Sequence, residues 1–591
     1  MQKNMFYYWL FALTLCCFCL PIFEAGFYND DAVISLWKAR AIMQGQSTFD
    51  FVSNFFRAML VGQGRMAVIY CYVILPVQMT VGDHLFLYRS IHLAMWIVAL
   101  WSVLAMGRSL GGKPFVTGLP LLLFLVFVQF RSYHDAVLSY FMFFPCILIF
   151  GSWTVVFWQK WLSDSNGIYG FVYAPLIYIL GLLTSEFVLC FFALIGLLTL
   201  FDSCSLKNKL FRLLPLMVVT IIYMSINYWL KSQGTVAYAG CQIGSFRTMG
   251  WPYLFQFLSI VPFSYLLFNP SGFMTHWWGD ISHAQIFVAL IGMGCMGILV
   301  YNGLMEQCNI GAIGCRRLSV AGIIFMVTPP LLTAVTAKYQ EELRWGLAYL
   351  QVILQIIGCV FVLIMFLSCI KRRLINDERR YKMVAICVAI GAGIIFGGHS
   401  VANNVVNIRM NGYWKTPRDI CGKVLAHYSF DDKQGSPLIM VIDAPWLNRW
   451  ENTDFCYRYT GLRFIVKTWD EYIGQNNQTN MAPEDSASIV YYLGCPRKMS
   501  VFDNTFVVFG ILSRKPVGMA ANSDWTLKRS LWAVHFWDGL NYGFVAPNGS
   551  FEPMSKVQQS IGFTSDRTEL YYYEKPISLN KACLSTPLIR R

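Results

Sequence analysis

Eleven stretches of this chain are apolar over the length needed to cross a bilayer, roughly 17–25 residues, and that pattern leaves few folds open. They lie near residues 6–23, 87–106, 114–130, 136–158, 168–184, 186–202, 213–231, 283–301, 319–337, 345–370 and 383–398. Backbone groups in hydrocarbon must be satisfied within the segment, so each reads as a helix. Hydrophobic residues make up 56% of the 591 and charged ones only 13%, against about 25% charged in an average soluble protein. A disordered chain, a coiled coil and an ordinary cytosolic enzyme are excluded. The net charge of +14 sits largely in short loops between apolar segments, where it marks topology and no nucleic-acid surface.

One set of loops carries Arg108 with Lys113, Lys160, Lys207 with Lys209 and Arg212, Arg316 with Arg317, and the dense run Lys371–Lys382. The alternate loops are poorer, with Arg131, Lys231, Lys338 and Arg344. The first set is expected on the cytoplasmic side. With eleven spans the N-terminus is then inside and the C-terminus outside. Phe23 is too large for the small-residue position of a signal-peptide cleavage site, so residues 6–23 read as the first span. Residues 68–81 and 252–268 are too short or too interrupted to span and are expected as juxtamembrane helices. The transmembrane domain covers 1–400, with a first outer loop at about 24–86; residues 401–591 have the composition of a mixed α/β domain outside the membrane. There, Thr416–His427 has a helical pattern, and Leu438–Ile442, Ala487–Tyr492 and Thr505–Leu512 look like strands. Most of the 18 cysteines fall in apolar segments as small hydrophobes. Cys421, Cys456, Cys495 and Cys583 do not, and in an oxidising compartment some of them are expected to pair.

Ionisable groups at helix ends are the informative residues, being costly at membrane depth. Asn29-Asp30-Asp31 directly follows the first span. Helix capping accounts for one acid there; two adjacent carboxylates also suit a general base and its orienting partner. Helix phase separates neighbours by about 100°. If Asn29 or Asp30 caps the helix, Asp31 is the acid left to face a cavity. Phe130-Arg131-Ser132-Tyr133-His134-Asp135 closes the third span, with Tyr133 as a headgroup anchor and Asp135 as a cap in the plainer reading. Arg65 ends Gly62-Gln63-Gly64-Arg65 and is as suited to a lipid headgroup as to a site. Lys338-Tyr339-Gln340-Glu341-Glu342-Leu343-Arg344 is a charge cluster with ion pairs of its own, and Glu186 sits in a tight turn that its carboxylate can cap. The Lys and Arg counts place all five groups on the same outer face. Asp30, Asp31 and Asp135 are also the acids that could hold a divalent cation, Mg or Mn, through oxygen ligands.

The pattern resembles the GT-C superfamily of membrane glycosyltransferases over about residues 1–400. Its sharpest match is the paired acid Asp30-Asp31 in the first outer loop. Arg65 occupies the place of the basic residue that follows the juxtamembrane helices in aminoarabinose- and mannosyl-transferring members, here without the prolines of their K-P-P-like segment. Arg108-Ser109-Leu110-Gly111-Gly112 resembles their cytoplasmic turn, and Phe130–Asp135 their outer R-x-x-M-D segment, with His134 in place of Met. Within the superfamily the chain looks most like bacterial glucosyltransferases that decorate lipopolysaccharide O-antigen. The resemblance implies an inner-membrane enzyme with a polyprenyl-phosphate sugar donor and a glycan or glycolipid acceptor. It further implies Asp30 or Asp31 as base, and Arg65, Arg131, His134, Asp135, Glu186, Lys338, Tyr339 and Arg344 around the substrates. Nucleotide sugars are cytosolic, so an outward-facing transferase needs a donor already across the membrane, and no phosphate-binding glycine loop is apparent. A transporter or flippase for a lipid-linked glycan, or an O-antigen polymerase or ligase, are the competing readings. Transporters tend to have related halves, and none is visible.

Overall fold

The computed structural model describes residues 2–111, 118–132, 134–164, 167–201, 205–233, 242–269, 272–307, 310–427 and 430, and beyond them the helices and strands named below. The chain forms two compact units. One comprises Met1–Ala25, Asn29–Asp31 and Thr48–Asn407; the other Gly26–Tyr28, Ala32–Ser47 and Ile408–Arg591. The second unit thus takes in parts of the loop after the first span as well as the C-terminal region.

The first unit is a bundle of helices. Eight helices of the described residues are long and apolar enough to cross a membrane: Met5–Glu24, Leu85–Gly111, Phe143–Ser163, Leu206–Leu230, His283–Glu306, Ala312–Ala334, Val352–Arg373 and Glu378–Lys415. The remaining three expected spans are shorter than the sequence suggests. Tyr169–Leu182 and Glu186–Leu200 form a hairpin, turning at Ser185, whose hydroxyl accepts the Phe187 N–H. Leu119–Phe127 has only nine helical residues, about 14 Å of rise, before Val128 turns extended.

Contacts sort these helices into two ends. At one end lie the basic residues: Arg316 donates to the Phe201 carbonyl (2.6 Å), Lys371 to Met305 (2.7 Å) and Arg317 to Gln159 (3.4 Å). At the other lies the acidic pair, where the Tyr88 hydroxyl donates to Asp31 and the Asn29 amide to Ser139 (3.4 Å). Leu85–Gly111 runs from the acidic end to Gly314, whose Cβ position faces the Gly111 carbonyl. By Ser139 the chain is back beside Asn29. Residues 118–131 therefore make the return, although only part of them is helical. Backbone groups freed where that helix stops find side chains of the last spanning helix. His399 Nε2 accepts the Phe263 N–H (3.1 Å), so its Nδ1–H donates to the Val126 carbonyl (2.7 Å). Asn403 accepts from the Phe130 N–H (2.7 Å) and donates to Val128 (3.3 Å). Broken helices are tolerated at membrane depth when neighbours satisfy the backbone in this way.

Two more expected spans start late at the acidic end, at Phe143 instead of 136 and at Val352 instead of 345. The apolar stretch expected at 252–268 is two helices, Gly250–Leu258 and Ser264–Phe268. Phe263 between them has φ +62°.

The second unit is α/β. A mixed sheet runs Phe464–Thr468, Leu438–Asp443, Val490–Gly494, Phe506–Arg514, Trp525–His535, Thr568–Tyr573; Leu438–Asp443 is parallel to both its neighbours and the later pairs are antiparallel. Leu438 to Ile442 are buried on both faces, as a central parallel strand should be. Helices Thr416–His427 and Arg449–Thr460 contribute Cys421, Leu425, Phe455 and Cys456 to the core around it. Cys456 is a free buried thiol and so is not bridged to Cys421. Cys495 and Cys583 lie outside the described residues.

Candidate active site

Asn29 adopts φ +50° and turns the chain into the short helix Asp30–Ile34. Within that helix the two adjacent acids point in different directions. Asp31 is 1% exposed, while Asp30 is exposed. Asp31, the acid expected to face a cavity, is thus the enclosed member of the pair. Asp31 accepts the Gln78 amide (2.9 Å) and the Tyr88 hydroxyl, with the Phe141 N–H at 3.5 Å. It joins the loop after the first span to helix Leu75–Val81 and the second span. Burial pushes its carboxyl up to about 6, against the lowering effects of the Tyr88 bond, the Arg89 charge and the Gln78 bond. Arg89, wholly buried, donates to the carbonyls of Ala25 (3.2 Å) and Leu138 (2.7 Å). His92 Nδ1 accepts the Met142 N–H (3.1 Å), leaving Nε2–H for the Val137 carbonyl (2.8 Å).

Asp30 has different company. Tyr140 is hydrogen-bonded to Asp30 and to His134 Nδ1. One hydroxyl proton cannot serve both. With Asp30 ionised, Tyr140 donates to it, and His134 Nδ1–H donates to Tyr140. Burial holds the His134 imidazole below its ordinary value, with Asp30 opposing and Lys338 reinforcing that shift. The neutral ring then keeps a lone pair on Nε2. His134, Tyr140 and Met142 have φ of +45°, +62° and +57°. Three non-glycine residues in the left-handed region within nine positions cost of order 1–3 kcal/mol each, and such strain clusters at functional sites.

The other candidates divide. Gly64 (φ +64°) ends helix Thr48–Gln63 in an αL cap, its N–H on the Leu60 carbonyl at 3.1 Å, and the Arg65 N–H reaches the Met59 carbonyl at 3.2 Å. Arg65 is thereby delivered to Glu186 at 3.6 Å, where Ile69 N–H also meets the Leu183 carbonyl (2.9 Å). Lys338 pairs with Glu342 (3.9 Å), and Tyr339 packs on Tyr349 at 4.1 Å, whose ring in turn lies 5.6 Å from that of His134. Arg344 is exposed. Arg131 and Asp135 are buried and spent on backbone. Arg131 donates to the carbonyls of Gln129 (2.9 Å) and Ser259 (2.8 Å), and burial lowers its guanidinium to about 10. Asp135 accepts the N–H groups of Arg131, Val137 and Leu138 at 2.8–2.9 Å, and burial raises its carboxyl. Tyr133 lies outside the described residues. Asp135→Ala orphans three buried donors at about 1–3 kcal/mol each. The expected result is a variant that melts far below the wild type in detergent; an unchanged melting temperature would refute this role.

Among the described residues no group of three His, Cys, Asp or Glu side chains could hold a metal ion. Asp31 and Asp135 each accept O–H or N–H groups of the chain.

Tyr88, Arg89, His92, Gln78 and Tyr140 escape a reading of loop charges because they lie in or beside apolar runs. A signal existed: Arg89 and His92 are ionisable residues inside an expected span.

No family model matches the chain, and no curated protein does. Among solved structures, the crystal structure of ArnT from Cupriavidus metallidurans bound to undecaprenyl phosphate is similar to it. The TM-score is 0.39 and the identity 10%, over 83% of this chain and 93% of that chain. So remote a likeness fixes neither the reaction nor its residues.

Proposed function

We propose that this membrane protein is a glycosyltransferase that moves a sugar from a polyprenyl-phosphate carrier to a glycan or glycolipid acceptor, at the end of the bundle that carries Asp30. The observation that bears most weight is the split of the acidic pair. One carboxylate is buried as a structural hub, and its neighbour stays exposed beside His134 and Tyr140, with Lys338 in electrostatic reach of that histidine. Such a site can take a proton from a hydroxyl and steady a departing anion nearby. In the proposed step, the acceptor oxygen loses its proton to Asp30 and attacks the anomeric carbon. The bond from that carbon to the phosphate oxygen breaks, and its electron pair leaves with the phosphate. Arg65, Lys338 and Arg344 are the cations suited to that charge, and a single displacement inverts the anomeric centre. An O-antigen acceptor, and an inner-membrane location with Asp30 on the periplasmic side, follow from the motif resemblance.

The test is transfer by purified protein from a synthetic polyprenyl-phosphate hexose, read as release of polyprenyl phosphate. A nucleotide sugar should not replace the donor. Arg65→Ala should lower turnover about tenfold or more while leaving the protein folded, because one cation on a developing phosphate charge contributes several kcal/mol in a water-poor site. No release from any polyprenyl-phosphate sugar, with every acceptor class supplied, would overturn the reading.

A further inference from the structure

The segment holding the acidic pair is gripped on both flanks within the second unit. Before the pair, Asn411 Oδ1 accepts the Gly26 N–H at 2.9 Å and the Tyr28 hydroxyl at 2.8 Å. After it, Arg418 donates to the Ala32 carbonyl at 2.9 Å and to the Ser35 hydroxyl at 2.7 Å. The Ser35 hydroxyl donates in turn to the Ala32 carbonyl at 2.8 Å, and Arg458 donates to the Ser35 carbonyl at 3.0 Å. Only Asn29, Asp30 and Asp31 lie between the held residues 28 and 32. Three residues leave little slack, since successive Cα atoms are a fixed 3.8 Å apart.

Arg418 is 5% exposed, and its guanidinium also covers the face of Phe27, 5.2 Å from the ring centroid. A buried guanidinium is an expensive way to fill space; hydrophobic residues of similar volume are often as stable or more so. What it supplies and a hydrophobe cannot is a rigid fork with two acceptors at set directions. Both acceptors belong to the first turns after the acidic pair.

We infer that Arg418 is a positioning residue: through Ala32 and Ser35 it sets the place of the peptide that presents Asp30. The C-terminal region thereby acts on the chemistry from almost 390 positions away in sequence, without touching substrate. The inference rests on the reading of Asp30 as the base, and it has a readout that does not.

Arg418→Met keeps the volume and should leave the melting temperature near that of the wild type. Turnover should fall about 10- to 100-fold, since displacements near 1 Å cost that much, with KM for the lipid donor within about twofold. Arg418→Ala should recover rate when methylguanidinium is supplied. Independently of any reaction, Asp30→Cys is labelled with a maleimide in the Arg418 and Arg418→Met backgrounds, and adducts at residue 30 are counted by mass spectrometry. A several-fold change in labelling rate supports the inference; equal rates overturn it. A fall in turnover that methylguanidinium does not reverse would also count against it. Wild-type turnover by Asp30→Asn would remove the base reading and leave the labelling result standing.

Discussion

Asp30→Asn protein should transfer sugar at least about 100-fold more slowly than the wild type while remaining folded. A general base contributes roughly 10²–10⁴-fold, and an amide of the same shape cannot take the proton. Exposure puts the expectation on Asp30. Its neighbour is closed off by Gln78 and Tyr88. Asp31→Asn should accordingly stay within about tenfold of the wild type per folded molecule. If Asp30 served only the first turn of its helix, losing it would cost about 0.5–2 kcal/mol of stability and leave turnover intact. Rates normalised to folded protein separate these outcomes, and an inactive Asp31→Asn beside an active Asp30→Asn would reverse the assignment.

Asp31→Asn should instead show itself in stability, with a sign that depends on pH. The carboxyl titrates near 6 in the folded chain and near 3.8 when unfolded. Between those values the folded chain holds a proton that the unfolded chain has released, so stability falls as pH rises through the window and levels off above it. Two units correspond to about 3 kcal/mol. An asparagine does not ionise and avoids that loss, and Gln78 can turn its amide to suit the new donor. Asp31→Asn should therefore melt above the wild type at pH 8, with the gap closing towards pH 4. A variant that melts lower at pH 8 would mean that the ionised carboxylate stabilises the hub.

Much of this was readable from the residues. Lys and Arg placement separates two ends that the contacts of Arg316, Arg317 and Lys371 also separate. The helix at Thr416–His427 and the central strand from Leu438 stand where periodicity puts them. What could not be read was where helices stop short. Hydropathy of 114–130 or 345–370 is indifferent to whether the backbone is helical, because leucine and phenylalanine are equally apolar in either form. The decision rests with distant partners: His399 and Asn403 for residues 126–130, and Gln256 for Tyr349, whose N–H it accepts at 2.7 Å. The acidic pair was visible for a similar reason in reverse. Its chemistry is local, while which acid turns inward depends on Asn29, whose left-handed φ no periodicity encodes.

The interrupted return at residues 118–131 bears on how the chain is made. Leu119–Phe127 leaves the ribosome about 270 residues before His399 and Asn403, which supply the groups its loose end needs. Until then the carbonyls of Val126 and Val128 and the Phe130 N–H must stay with water or lipid headgroups. The segment is apolar enough to enter the bilayer but has no partner to hold it there at full depth. Membrane insertion of this protein is thus unfinished until its last spanning helix arrives, and nascent chains halted before that helix are the form a quality-control protease would meet with a half-seated segment.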